Sequence, residues 1–191
     1  MIQRISLAAL CAGLLLWVLT TPTHAPILTL TAIIVHEVGH LLAACLLNMK
    51  PSGAIADTIG IRLLFRGVPP SYAKEIALCA AGPLANLFCF LIAILLGAKA
   101  DTFFPSVSLA LALLNLMPIE GFDGGRIAKS SLLLLLPPDT ADRISELLSF
   151  LFLFVLWCIS VYLMMRAGNE LSLFFFSTAI FFRIFLQKNP L

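Results

Sequence analysis

The sequence predicts an all-α membrane protein with about six transmembrane helices. Its 191 residues are 61% hydrophobic and only 12% charged, with a mean hydropathy of +1.05, whereas a soluble domain carries roughly a quarter charged residues. The same composition excludes a disordered chain. A net charge of +2 is too small for a nucleic-acid-binding surface, which needs clustered basic residues. We therefore expect a single membrane-embedded domain over residues 1–191.

Six apolar segments are candidates for membrane crossing, which takes about 20 helical residues. Charged residues or prolines bound them, and they cover residues 5–21, 26–49, 75–98, 103–136, 144–165 and 171–187. The first is predicted to be a retained helix, and a cleaved signal peptide over residues 1–25 is the alternative. Residues 26–136 are expected to form the core, with the other three helices peripheral.

The distribution of positive charge predicts that both termini are cytoplasmic, because Lys and Arg are enriched in cytoplasmic loops. One set of loops carries most of these residues: Arg4, Lys50, Arg62, Arg66, Lys74, Arg143, Arg183 and Lys188. The opposite set carries only Lys99 and Arg166. A multi-pass protein with its second segment running inward accounts for this asymmetry.

The loop between the second and third segments alternates in hydrophobicity. Apolar residues occupy every second position from Ile59 through Phe65, with Gly60 and Arg62 between them. A period of two predicts a strand over residues 55–65. An amphipathic segment lying on the inner membrane surface is the alternative.

A five-residue motif, His36-Glu37-Val38-Gly39-His40, lies in the middle of the second segment. Residues four apart share a helix face, so both imidazoles can bind one metal ion while Glu37 lies near the open position of that ion. This is the H-E-x-x-H zinc pattern, in which the glutamate is the general base. A packing role is the weaker alternative, because ionisable groups at that depth cost at least about 2.5–3.5 kcal/mol each when charged and usually serve function.

Asp123 is the predicted third protein ligand, since catalytic zinc usually has three protein ligands and a water molecule. Pro118 and nearby glycines interrupt the fourth segment there. With about 1.5 Å of rise per residue, counting from Pro26 and from Pro105 places Asp123 at or below the level of the two histidines. An ordinary turn aspartate is one alternative, and Glu120 is a weaker candidate ligand.

The third segment is interrupted by Gly82-Pro83-Leu84-Ala85-Asn86. Glycine and proline permit a kink and a close approach between membrane helices. Asn86 would then present its amide inside the bundle. Interhelical packing and contact with a substrate are equally compatible with this position.

Three motifs, in this order on successive segments, make the chain resemble the site-2 protease family of intramembrane zinc metalloproteases. The motifs are His36–His40, Gly82-Pro83-x-x-Asn86, and Asn115-x-x-Pro118 followed by Asp123-Gly124. Together they cover residues 27–130. The two zinc motifs are specific, whereas the Gly-Pro-x-x-Asn element alone is weak.

The resemblance implies roles for the metal ligands, the base and the substrate-binding residues. One Zn²⁺ ion would be held by His36, His40 and Asp123, with Glu37 as the catalytic base. Asn115 would stabilise the substrate or the oxyanion. In the family a re-entrant strand-like loop receives the substrate, and residues 54–67 resemble that loop. The expected substrate contacts are Asn86, Ile59, Ile61 and Leu63.

The resemblance also implies a location and partners. We expect neither the PDZ insertion nor the C-terminal CBS domain of several members, and the short form is most similar to the bacterial sporulation processing peptidases. A multi-pass protein of the bacterial cytoplasmic membrane is therefore expected. Its substrate would be a protein with a transmembrane or membrane-associated segment, such as a pro-sigma or anti-sigma factor. A regulatory membrane protein is a second expected partner, and no nucleic acid is expected.

These expectations combine into peptide hydrolysis inside a membrane. Glu37 would take a proton from water and return it to the leaving amine, and the amide of Asn115 would donate to the developing oxyanion. The strand over 55–65 would pair with an unwound substrate. A metal transporter or sensor is one alternative, although transport calls for further ligand clusters along a path. A non-catalytic protein that binds membrane helices is another, and an intact H-E-x-x-H motif argues against it.

Overall fold

The computed structural model describes residues 23–49, 51–57, 60–65, 71–99, 102–167, 174 and 177–181. In chain order its elements are α1 (Ala25–Leu46), β1 (Pro51–Asp57), β2 (Gly60–Phe65), α2 (Tyr72–Leu95), α3 (Phe103–Leu116), α4 (Asp123–Leu133) and α5 (Pro138–Ala167). Residues 177–181 are also helical. The predicted helix over 5–21 and most of the one over 171–187 lie outside the described residues.

Three of the described helices are long and apolar enough to cross a membrane, namely Ala25–Leu46, Tyr72–Leu95 and Pro138–Arg166. The shorter helix α3 is also apolar. Large apolar side chains cover the outer faces of the long helices, which is the pattern of helices in contact with lipid. Leu46, Leu95 and Met165 are at least 80% exposed. The helical architecture and its three candidate spans agree with the predicted membrane protein, and the count of six spans stays a prediction.

The predicted break in the fourth segment is present and separates two helices. α3 ends at Leu116 and α4 begins at Asp123. A β-carbon at Gly124 would overlap the carbonyl group of Leu116, so the connecting turn folds directly onto the first turn of α4. Only glycine at this position allows so close an approach. The carboxylate of Asp123 therefore lies at a helix start held against the end of the preceding helix.

The turn between α3 and α4 is anchored to α5. Ile119 is fully buried and belongs to an apolar cluster, whose other buried members are Phe122, Leu153, Leu156 and Ile180. The backbone N–H of Glu120 donates to the hydroxyl of Ser149 on α5 at 2.7 Å. These contacts fix the residues just before Asp123, and hence the place at which α4 begins.

The alternating segment forms a hairpin, so the prediction of one strand over 55–65 is wrong in its topology. β1 and β2 pair antiparallel, with Asp57 opposite Gly60. The antiparallel pairing means that the chain changes direction between β1 and β2, inside the segment that the period-two pattern predicts as continuous.

The strand character itself is present in β2, which contains Ile61 and Leu63. Ile59 lies outside the described residues. A re-entrant position of the hairpin stays a prediction.

Candidate metal centre and active site

Two imidazoles of α1 lie edge to face and are buried among the described helices. His36 and His40 are 8% and 9% exposed, and their ring centroids lie 4.7 Å apart at an interplanar angle of 85°. The two Nε2 atoms are separated by 3.1 Å. This arrangement follows from the spacing of four residues on a helix, which places both side chains on one face.

Asp123, at the first position of α4, completes a triangle of donor atoms. Its Oδ2 lies 3.1 Å from Nε2 of His36 and 3.2 Å from Nε2 of His40. A tetrahedral zinc ion with nitrogen and oxygen ligands at about 2.0–2.1 Å separates those ligands by about 3.3 Å. The donor set and its spacing therefore fit one zinc ion.

Hydrogen bonds alone account poorly for this cluster. Two imidazole nitrogens 3.1 Å apart share at most one hydrogen atom, and both face the same carboxylate oxygen. A cation held by these three donor atoms would engage all three lone pairs at once. In the described part of the chain, this is the group of His, Cys, Asp or Glu side chains placed to hold one ion.

Helix α2 supplies the groups behind both imidazoles. Nδ1 of His40 donates to the backbone carbonyl of Leu78 at 2.8 Å. The amide nitrogen of Asn86 lies 3.4 Å from Nδ1 of His36, and Asn86 is fully buried. Metal-binding histidines usually donate from their other ring nitrogen to a carbonyl, a carboxylate or water, as His40 does to Leu78. The structure thus places Asn86 against a predicted ligand, and its predicted contact with substrate stays a prediction.

Gly82, between these two positions on α2, leaves room for both rings. A β-carbon there would overlap the imidazole of His40 and come within 2.8 Å of Nε2 of His36. The sequence predicted a kink and a close approach between helices here, but it did not identify the two imidazoles as the groups that approach. The spacing of Leu78, Gly82 and Asn86, four residues apart, indicates one shared helix face.

Glu37 lies next to the cluster but outside the triangle. It is half-buried and interacts electrostatically with His40, His36 and Asp123. A carboxylate that is near the donor atoms without being one of them is available as a base. Its catalytic role stays a prediction.

The structure does not bring Asn115 or Glu120 into the triangle. Asn115 is half-buried, and its amide nitrogen donates to the carbonyl of Leu111 in its own helix at 3.0 Å. Its predicted role toward a substrate stays a prediction and calls for a turn of the amide. Glu120 is exposed, which agrees with the preference for Asp123 as third ligand.

An ion pair joins the two helices that carry the third ligand and the supporting groups. Arg126, one turn after Asp123, donates from Nη2 and Nε to Oε1 of Glu75 on α2, at 3.1 and 3.3 Å. A polar cavity of about 410 Å³ lies beside this pair and is also lined by Glu120 and Lys129. The cavity reaches Gly125, two residues from Asp123. The sequence alone did not identify Glu75 as the partner of Arg126.

A comparison with solved structures supports the fold. The solved structure of the site-2 protease from Methanocaldococcus jannaschii is similar over 93% of this chain and 85% of that chain, with a TM-score of 0.58 and 16% sequence identity. No protein-family model and no curated protein matches the sequence. The chain therefore has a site-2-protease-like fold, as the sequence motifs predicted.

Proposed function

We propose that this protein is an intramembrane zinc metalloprotease that hydrolyses peptide bonds in or near a transmembrane segment of a membrane-bound substrate. One observation carries the proposal. Three donor atoms from His36, His40 and Asp123 meet within 3.2 Å, beside the carboxylate of Glu37, among helices apolar enough to span a membrane. The site-2-protease-like fold supports it.

Different residues would bind the metal ion and transfer the proton. His36, His40 and Asp123 would hold the zinc ion, which supplies Lewis-acid polarisation of a peptide carbonyl and lowers the pKa of a bound water. Glu37, as general base, takes a proton from the attacking water and later delivers it to the leaving amine. The two proton transfers return Glu37 to its starting protonation state, so its carboxylate is regenerated after each cleavage.

The rest of the site would receive and orient the substrate. A helical substrate hides its carbonyls in backbone hydrogen bonds, so it must unwind before cleavage. We propose that the β1–β2 hairpin pairs with the unwound segment by strand addition, with Ile59, Ile61 and Leu63 contacting its side chains. Asn115 would turn its amide from Leu111 to the oxyanion.

The proposal also names partners. A protein with a single transmembrane or membrane-associated segment, such as a pro-sigma or anti-sigma factor, is the proposed substrate, and a membrane protein would regulate access to it. The bacterial cytoplasmic membrane is the proposed location.

The decisive experiment compares the unaltered chain with Glu37→Gln in vesicles loaded with single-span membrane proteins. The variant is expected to keep its zinc, because Glu37 is not a ligand, and to lose cleavage by at least about 100-fold, because general-base catalysis contributes about that much. New termini are identified by mass spectrometry, and cleavage in H₂¹⁸O labels each new carboxyl terminus.

The outcomes separate the proposal from its rivals. Equal cleavage by Glu37→Gln would remove Glu37 from the base role. A transporter would instead carry zinc into vesicles that contain this protein without a substrate. Zinc flux that disappears in His36→Ala, together with no new termini in the substrate, would therefore favour a transporter over a protease. The control variant is Glu120→Gln, which alters an exposed acid outside the triangle and is expected to cleave normally.

A further inference from the structure

The two ligand imidazoles are supported by one face of α2, but by groups of different kinds. His40 donates from Nδ1 to the carbonyl of Leu78, and a carbonyl oxygen can only accept. His40 is therefore fixed with its hydrogen on Nδ1 and a lone pair on Nε2, which is the tautomer that binds a metal through Nε2. His36 faces the amide of Asn86, which can present either a donor or an acceptor.

The orientation of that amide decides whether His36 can be a ligand. With the amide nitrogen donating to Nδ1, neutral His36 carries its hydrogen on Nε2 and offers no lone pair toward the triangle. With the amide turned by 180°, the oxygen of Asn86 accepts from Nδ1–H, and Nε2 of His36 is free to bind the metal. The oxygen and nitrogen of an amide are nearly identical in shape, so both orientations fill the same space.

Among the described residues, no other hydrogen bond holds the amide in the first orientation. Asn86 is fully buried, and its Oδ1 has no hydrogen-bond partner among the described residues. Turning the amide therefore breaks no other hydrogen bond in that part of the chain. In the first orientation Nε2 of His36 has no lone pair for a metal. In the turned orientation His36 and His40 are the same tautomer, and both offer Nε2 as a ligand.

We propose that Asn86 is a positioning residue of the metal site, whose side-chain oxygen accepts the Nδ1–H of His36 and so directs Nε2 of that imidazole to the metal. This inference rests on the proposed zinc site and gives Asn86 a role other than substrate contact. Leu78 orients His40 and Asn86 orients His36. One face of α2, which also contains Gly82, thus orients both histidine ligands.

The test is the zinc dissociation constant of the purified full chain, measured by competition with a colorimetric chelator, for three variants. Asn86→Leu keeps the approximate shape of the side chain and removes its hydrogen-bond acceptor. Asn86→Ala removes both the bulk of the side chain and the acceptor. Each is expected to weaken zinc binding about 10- to 100-fold, the usual effect of losing such a partner. Asn86→Asp can only accept once ionised, and it is expected to stay within about threefold of the unaltered chain, as a carboxylate–histidine–zinc triad.

The matched control is Ser108→Ala on α3. Ser108 is also fully buried, and its hydroxyl has no hydrogen-bond partner among the described residues. This variant removes a buried polar atom that makes no hydrogen bond to the ligands, and it is expected to bind zinc as tightly as the unaltered chain.

A direct measurement covers the case in which variants fail to fold. The chain has three histidines, so the imidazole ¹⁵N resonances of the zinc-loaded, unaltered protein form three patterns, and His24→Gln assigns one of them. Both remaining imidazoles are expected to carry hydrogen on Nδ1. An unprotonated Nδ1 in either of them overturns the proposal.

The results distinguish this proposal from the function on which it rests. If Asn86→Leu binds zinc like the unaltered chain, or if Asn86→Asp binds as poorly as Asn86→Ala, the positioning role is wrong while the zinc site stands. If the unaltered chain binds no zinc, both proposals fail.

Discussion

At the scale of single residues, the absence of a side chain at position 82 is as important as the ligands themselves. A methyl group on Gly82 would occupy space that the His40 ring fills and press on His36. Adding a methyl group to a well-packed site costs about 1–3 kcal/mol, and every 1.4 kcal/mol is a tenfold change in an equilibrium constant.

We therefore expect Gly82→Ala to weaken zinc binding about tenfold or more, as measured by chelator competition. Leu84→Ala is the control, because Leu84 lies on the same helix but is 54% exposed and is expected to leave zinc affinity unchanged. Zinc binding by Gly82→Ala as tight as that of the unaltered chain would show that the imidazoles do not lie against this helix.

The residues of the site were predictable from the sequence to different extents. The pairing of His36 with His40 depends only on helix geometry, which a spacing of four determines. Asp123 could be predicted because few acids lie within apolar segments. The partners of the second nitrogen of each imidazole could not, since contacts between helices depend on how each helix is rotated, and a local pattern does not determine that rotation.

At the scale of elements, the position of α4 relative to α2 sets the distance from Asp123 to the histidines. Arg126 on α4 pairs with Glu75 on α2, and both side chains are partly shielded, at 32% and 27% exposure. Lys129 on the same helix pairs with Asp142 on α5 at 2.9 Å, but those side chains are half exposed. The first pair links the elements of the metal site, and the second does not.

We expect Arg126→Gln to weaken zinc binding by up to about fivefold, which corresponds to about 1 kcal/mol, the upper range for such ion pairs. Lys129→Gln should leave it unchanged. In a double-mutant cycle, Glu75→Gln should add little to Arg126→Gln, because either change breaks the same pair. Additive effects of the two substitutions, or equal effects of Arg126→Gln and Lys129→Gln, would contradict this role.

Some sequence patterns predicted where an element ends, and others did not. Pro118 and the glycines around Asp123 predicted the break between α3 and α4, because these residues interrupt helices for steric reasons. The period-two pattern predicted strand character over 55–65 but not the reversal at Asp57–Gly60. Alternation describes which face a side chain occupies, and it does not report where the chain turns back.

At the scale of the whole molecule, the proposed orientation in the membrane can be tested at the two ends of α3. Lys99 precedes this helix and Glu120 follows it, and both are exposed. The 14 residues of α3 separate its two ends by about 21 Å. The excess of Lys and Arg on one set of loops predicts that Lys99 faces the outside and Glu120 the cytoplasm.

In a chain whose own cysteines are replaced by serine or alanine, a membrane-impermeant thiol reagent should label Lys99→Cys in intact cells. It should label Glu120→Cys only after the membrane is opened. The opposite pattern would reverse the orientation and place the polar cavity beside Arg126 on the outer face.

Composition was sufficient to predict the class of the molecule, because a chain with 61% hydrophobic residues has to bury or expose most of them to lipid. The order of three motifs was sufficient to predict the fold that the comparison with a solved structure supports. The number of crossings could not be predicted in this way, since apolar length alone does not determine whether a short apolar helix such as α3 crosses the membrane.

The central claim is that one zinc ion joins α1 to α4. The most direct test is the zinc content of the full chain, purified in detergent, beside that of Asp123→Ala. We predict about one zinc ion per unaltered chain and loss of most of it in the variant, because two imidazoles alone leave the ion without its third protein ligand. Equal zinc content in the two proteins, or none in the unaltered chain, would contradict the account.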